Sequence, residues 1–257
     1  MRHVKAIGRL GVLAIGLGIG AAVSSTGTAS ADDMQISIDG FDLFPTAGNT
    51  ATATSGMGDI AIAIGNHSSA DAEGGIGDIA YANGSGTSDL TGSHAVAGDP
   101  TVGATGSNYD FAYAVGNLSS AEAAGGSFDS STANGFGTFA FTGGGDSNFD
   151  FANVSGANSV AEAGHGSYDS TSVMGNFDTA HSGFNGSVDS ATIFGNNSTA
   201  NAEIGSGDQA FVFDLFAGRA PLGSDAFAGG AETPGNFDLA GVIGDGLTQN
   251  SIGDFIT

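Results

Sequence analysis

From residue 51 onward small apolar side chains recur at alternate positions, in short bursts separated by Gly and Asn. Ala61-x-Ala63-x-Gly65 is followed by Ala70-x-Ala72-x-Gly74 and Ala80-x-Ala82-x-Gly84; after residues 85–106 the pattern resumes at Ala112-x-Ala114-x-Gly116 and Ala121-x-Ala123-x-Gly125. Later copies drift in composition but keep register, through Ser131, Ala140, Ala152, Ala161, Thr171, Ala180, Ala191, Ala200 and Ala210. In the regular stretches these anchors lie nine to twelve residues apart. Alternation with a period of two, bounded by turn formers, predicts short strands between tight turns. The 46 glycines and the lack of any sustained 3.6-residue pattern argue against helix.

The copies alternate in kind. Odd copies place Asp two residues before the anchor, at Asp59, Asp78, Asp110, Asp129, Asp150, Asp169, Asp189 and Asp208. Even copies place Ser68, Ser119, Thr138, Ser159 and Ser198 there, with Asp178 the exception. The unit is therefore about 19–20 residues with two unlike strands, one coil of an all-β parallel β-solenoid (β-roll or β-helix) whose neighbouring coils stack at ~4.8 Å. Gly65-Asn66, Gly116-Asn117, Gly175-Asn176 and Gly195-Asn196 mark one corner, where left-handed backbone angles are expected.

The anchor face is small throughout and is expected inside, as a thin core of stacked Ala and Gly. The opposite face of the even copies is polar, with Asp71, Glu73, Glu122, Glu162 and Glu203. In the odd copies it is apolar: Ile60, Ile62, Ile64, Phe111, Tyr113, Val115, Phe211 and Phe213. One inward parity for all copies leaves these residues as an exposed apolar flank, a candidate interaction face. Inward rotation of the odd strands, or cover by the tail, is the alternative. Residues 32–50 are expected to cap the first coil, 51–216 to form the repeats with an irregular loop at 85–106, and 217–257 to hold degraded repeats (Ala226-x-Ala228, Ala240-x-Val242) and a C-terminal cap.

Residues 1–31 read as a secretory signal peptide: Arg2, Lys5 and Arg9, an apolar run over 10–22, then Ala29-Ser30-Ala31 as the cleavage pattern. The run is shorter than the ~20 residues that span a bilayer, so the mature chain is expected to be secreted or in the cell envelope, without a transmembrane segment. Beyond the leader Arg219 stands alone against 27 carboxylates, a formal charge of −26. Such a chain repels nucleic acid, whose binding relies on Lys and Arg. Cysteine is absent, so no disulfide framework exists.

The Asp column is the foremost candidate chemistry. Carboxylates stacked at ~4.8 Å repel by about 0.9 kcal/mol in bulk water, and by roughly four times that at an effective dielectric of 20. Relief is expected from Asx-turns, each Asp accepting a hydrogen bond from the N–H two residues on. The alternative is Ca²⁺ held by Asp59, Asp78, Asp110, Asp129, Asp150, Asp169, Asp189 and Asp208 through the all-oxygen shell it prefers. Tyr109, Phe128, Phe149, Tyr168 and Val188, three places before the anchors, are expected as a stacked packing ladder. No catalytic residues emerge: GMGDIA, GIGDIA and GSGDQA match a loose nucleotide fingerprint without a following helix. His67, His94, His165 and His181 show neither metal-ligand spacing nor a fixed repeat position.

The segments SSADAEGG (68–75) and SSAEAAGG (119–126) resemble the S-x-A-x-G repeats of trimeric autotransporter adhesin heads, parallel β-rolls that bind host or matrix surfaces. The leader and ISIDGFDLFPTAGNTATA (36–53) resemble uncharacterised exported Gly/Ala/Asn-rich repeat proteins of mycobacteria and related actinobacteria, which implies an envelope or extracellular address. GGIGDIAYA (74–82) approaches the calcium-binding RTX repeat but carries Asp78 one place early. These readings together predict a non-catalytic structural or interaction protein that binds through a flat face, without a resident cofactor. Self-association, a partner protein and envelope lipid are the candidate partners. A calcium-dependent β-roll and a β-helical carbohydrate-active enzyme are the alternatives, the latter short of the cationic groups that acidic sugars need.

Overall fold

The protein is described by a computed structural model, which covers residues 33–43, 49–86, 88, 91–98, 108–143, 147–164, 166–183, 187–203, 205–213, 223–229, 235–244 and 246–251. The chain divides between Ala31 and Asp32; the expected leader and the C-terminal residues 252–257 lie outside the described residues. All regular structure among the described residues is β, and no helix there is long and apolar enough to cross a membrane.

Two large sheets face each other. Among the described residues the first has eleven strands and takes the odd copies in chain order, from Ile60–Ile64 through Ile79–Asn83, Phe111–Val115, Ser130–Asn134, Phe151–Val154, Ser170–Asn176, Ser190–Asn196 and Gln209–Phe213 to Leu239–Ile243. The second has ten described strands and takes the even copies, from Thr52–Ser55 to Thr248–Ser251. Every neighbour within these runs is parallel, so the chain passes between sheets twice per coil and climbs one strand each time: this is the β-solenoid. Among the described residues only the N-terminal strands depart from it. Met34–Ile38 pairs antiparallel with Ile60–Ile64 and, on its other edge, with Phe41–Asp42, so it covers the edge of the first odd strand.

Register is what the alternation demands. Ala61 pairs with Ala80, Ala80 with Ala112, Ala112 with Ser131, and the column continues through Ala152, Thr171, Ala191 and Ala210 to Ala240. All of these side chains are buried. The facing column, Ala53, Ala70, Ala95, Ala121, Ala140, Ala161, Ala180, Ala200 and Ala226, is equally enclosed. In the first coils, where both columns are alanine, a single methyl from each side fills the gap between the sheets. One column thickens toward the C-terminal end, where Val154, Val173, Ile193, Val212 and Val242 continue the line begun by Ala63, Ala82, Ala114 and Ala133.

Two expectations are corrected. The loop assigned to 85–106 contains the strand His94–Ala97, paired in register with Ser69–Ala72 and Ser120–Ala123. Ser93-x-Ala95-x-Ala97 is thus a full even copy, its inward residues buried. Inserted residues on either side had moved it off the nine-to-ten-residue spacing. The glycine corner also divides in two: Gly65 and Gly116 turn through left-handed angles (φ +99° and +91°), whereas Gly175 stays in strand register with Gly195. At Gly175 the requirement is space, because a Cβ would run into the Gly195 carbonyl of the next coil. Asparagines bind this corner together: Asn176 donates from Nδ2 to Asn196 Oδ1 (3.0 Å), and the Ala157 N–H donates to Asn176 Oδ1 (3.1 Å).

Candidate functional site

The Asp column shares the parity of the anchors, so its side chains point inward at the corner where each coil enters the first sheet. Asp59, Asp78, Asp110, Asp129, Asp150, Asp169, Asp189 and Asp208 are all at most 1 % exposed. Asp238, two residues before Ala240, extends the column by one more coil; its position before that anchor was the available signal. In the even copies Ser68, Ser93, Ser119, Thr138, Ser159, Ser198 and Ser224 occupy the matching corner, buried, with Asp178 among them.

The expected Asx-turn is replaced by a bond between coils. Each Asp Oδ1 accepts the backbone N–H of the next aspartate in the column: Asp78 N–H to Asp59, Asp110 N–H to Asp78, Asp129 N–H to Asp110 and Asp150 N–H to Asp129, all at 3.0 Å. The series runs on through Asp169, Asp189, Asp208 and Asp238. At Asp59 a second N–H, from the residue before the next aspartate, converges on the same oxygen: Gly77 N–H lies 2.7 Å from Asp59 Oδ1. Tyr109, Phe149 and Val188 stand in the same place toward Asp78, Asp129 and Asp169, and their N–H groups also donate to the carbonyls of Ile76, Ser127 and Ser167 at 3.2, 3.1 and 3.0 Å. Two successive N–H groups aimed at one anion form a nest, which requires left-handed backbone at one of the pair. Left-handed backbone recurs at both corners, since His67, Leu118, Asn158, Phe177 and Asn197, each just before the matching residue of an even copy, have φ between +54° and +59°. Tyr109, Phe128, Phe149, Tyr168, Val188 and Phe237, each just before a column aspartate, have φ between +62° and +67°, a region costing roughly 1–2 kcal/mol for a side chain with a Cβ.

The second carboxyl oxygen is less well served. Oδ2 of Asp59, Asp78, Asp129, Asp169 and Asp189 is buried with no hydrogen-bond partner among the described residues. It faces glycine backbone: a Cβ on Gly56 would lie 2.7 Å from Asp59 Oδ2, one on Gly98 2.7 Å from Asp78 Oδ2, and one on Gly183 would overlap the Asp169 carboxyl. Loss of hydration therefore favours the neutral acid. Burial pushes Asp78 and Asp169 up to about 6, Asp189 to about 7 and Asp129 to about 8, against the opposing pull of the N–H groups. Neighbouring carboxyls add to the rise at Asp78, Asp129 and Asp189, and Asp59 is raised too.

As a cation site the column is thin. Each coil contributes one carboxyl, its Oδ1 already committed to N–H groups, while Ca²⁺ takes six to eight oxygens. Among the described residues no group of three or more His, Asp or Glu gathers to hold a metal. Far-UV circular dichroism of the chain is accordingly expected to show the same β signal with calcium and with chelator. Loss of that signal in chelator would show that the carboxyls hold the ion.

Outside the nest the aromatic residues stack. Ring centroids of Tyr109 and Phe128 are 5.2 Å apart, those of Phe128 and Phe149 5.0 Å, and those of Phe149 and Tyr168 5.1 Å, with interplanar angles of 13° or less. The ladder is solvent-exposed along its length. Its ring faces are spent on one another, so it offers edges to a ligand rather than stacking platforms.

The outer face of the first sheet has the expected parity. Phe111 and Phe213 are exposed; Ile60, Ile64, Tyr113, Val115 and Phe211 are half-buried. Ile62 is corrected: it is buried, in register between Ile36 and Tyr81. The flank is also less continuous than expected, since Ser130, Thr132 and Asn134, then Ser170 and Ser172, interrupt it midway. What unites the face is the absence of charge. From Ile79–Asn83 to Leu239–Ile243 no outward residue of these strands, and none of the ladder, is ionisable except tyrosine. The outer face of the second sheet holds Asp71, Glu122, Glu162 and Asp225 on its strands, with His181 Nδ1 3.0 Å from Glu162 Oε2. No family model matches the chain, nor does any curated protein or solved structure.

Proposed function

We propose that this chain is an exported, non-catalytic structural or interaction protein of the cell envelope or extracellular space, acting through the outer face of its first sheet. The observation that carries this reading is an uncharged, partly aromatic sheet face on a chain with 27 carboxylates and four basic residues. Stacked coils hold that face rigid, so a partner meets it without an ordering penalty in the protein. Apolar and aromatic residues supply contact area, and Ser, Thr and Asn between them supply hydrogen bonds.

Two paired substitutions test it. Ser130→Glu with Ser190→Glu puts charge on the first-sheet face; Ser120→Glu with Thr199→Glu puts the same charge on the second. Washed envelope from the producing cells is expected to retain wild-type protein and the second-sheet variant, and to lose about tenfold or more of the first-sheet variant, a difference of ~1.4 kcal/mol. Equal retention of both variants, or no retention of the wild type, overturns the reading.

A further inference from the structure

We infer that the uncharged face is a self-recognition surface, whose occupant is the same face of a second copy of this chain. This rests on the reading of that face as an interaction surface and goes further by naming the partner.

Three observations single out a second copy. The first is electrostatic. Two such acidic chains repel wherever their carboxylates meet, and the described strands of the second sheet carry acids on their outer face. The first-sheet face, free of charge over eight consecutive strands, is where two copies can approach without burying a like-charged pair. The second is size. Eight strands at ~4.8 Å, with four outward columns about 6.8 Å apart when the ladder is included, cover roughly 34 by 20 Å, near 700 Å². That falls within the roughly 600–1,000 Å² per partner of a standard specific interface.

The third is the distribution of side chains along the face. Phe111, Tyr113 and Val115 lie toward one end and Phe211 and Phe213 toward the other, while in the coils between them hydroxyl and amide side chains alternate with Phe151, Met174 and Phe194. A two-fold axis lying in the interface across the middle coil sets each apolar end on an apolar end and the mixed middle on itself. The face is thus complementary to its own copy, which is what a closed isologous dimer requires. Flat sheets pack face to face at about 10 Å in this manner.

Sedimentation equilibrium of the full chain is the test, read with the same two paired variants. Wild type and Ser120→Glu/Thr199→Glu are expected to sediment as dimers with a dissociation constant on the order of micromolar, tightening with ionic strength as the remaining acid–acid repulsion is screened. Ser130→Glu/Ser190→Glu is expected to weaken the dimer at least about tenfold, with circular dichroism showing an unchanged fold. These serines already point outward, so folding does not depend on them. A wild-type monomer at high concentration, or a dimer indifferent to charge on the first sheet, overturns the inference. A monomer whose first-sheet variant still loses envelope retention would leave the interaction-face reading standing and fail the second copy alone. Failure of both measurements would remove both.

Discussion

Thermal unfolding should occur at a higher temperature at pH 4.5 than at pH 8.5, the reverse of a protein held by ionised carboxylates. Its cause is the buried column. An unfolded aspartate titrates near 3.9, whereas burial pushes Asp78 and Asp169 to about 6, Asp189 to about 7 and Asp129 to about 8. Between these limits the folded chain holds protons that the unfolded chain has released, so stability falls as pH rises. The contribution is complete below about pH 4, declines through pH 6 and 7 as Asp78, Asp169 and Asp189 ionise, and is gone once Asp129 has ionised. Acidity weakened only tenfold by folding, at only two aspartates, amounts to about 2.7 kcal/mol, or roughly 5–10 °C in a domain of this size. Asp129→Asn should flatten the profile, raising the midpoint at pH 8.5 with little change at pH 4.5. It keeps the side-chain oxygen that accepts the Asp150 N–H and replaces the oxygen that ionises. A midpoint that climbs from pH 4.5 to 8.5 would mean that the column is charged and compensated, and the account of its burial would fall.

Ala114→Leu should cost about 3 kcal/mol or more, a large effect for so conservative a change. Ala114 is fully buried, paired in register with Ala82 and Ala133, and opposed by the alanines of the other sheet. A longer side chain there must wedge apart two sheets that hydrogen-bonded coils on both sides hold together. Overpacking of a closed core costs typically 1–3 kcal/mol and more where the backbone cannot yield. Farther along the same column Ile193 is fully buried between Val173 and Val212. There the sign of the size effect reverses, and Ile193→Ala should cost about 2–5 kcal/mol through the cavity it leaves. Urea denaturation of the two variants measures both. An Ala114→Leu midpoint equal to wild type would show that the sheets are not held by a single layer of methyl groups.

These two expectations draw on different depths of information. The period of about 19–20 residues, the inward parity and the stacking of Ala61, Ala80 and Ala112 were legible because strand side chains alternate with period two and each coil returns equivalent residues to the same column. The aspartates in register, and the aromatic residues beside them, followed from the same periodicity. Local sequence could not say which N–H an Asp two places before its anchor would meet. The Asx-turn and the bond to the next coil use the same residue in the same place, and only stacking brings Asp59 to the N–H of Asp78.

The strand His94–Ala97 carried the alternating signature but was hidden by flanking insertions; pairing with strands on both sides is what holds it in register. Net charge likewise overstated the acidity of the surface, since the column aspartates and Asp178 are enclosed. Gathering the uncharged residues of eight strands into one face also required the tertiary structure. A solenoid's period is written locally, in alternation along each strand. Its chemistry arises between coils, among residues about 20 to 30 positions apart in sequence and ~4.8 Å apart in space.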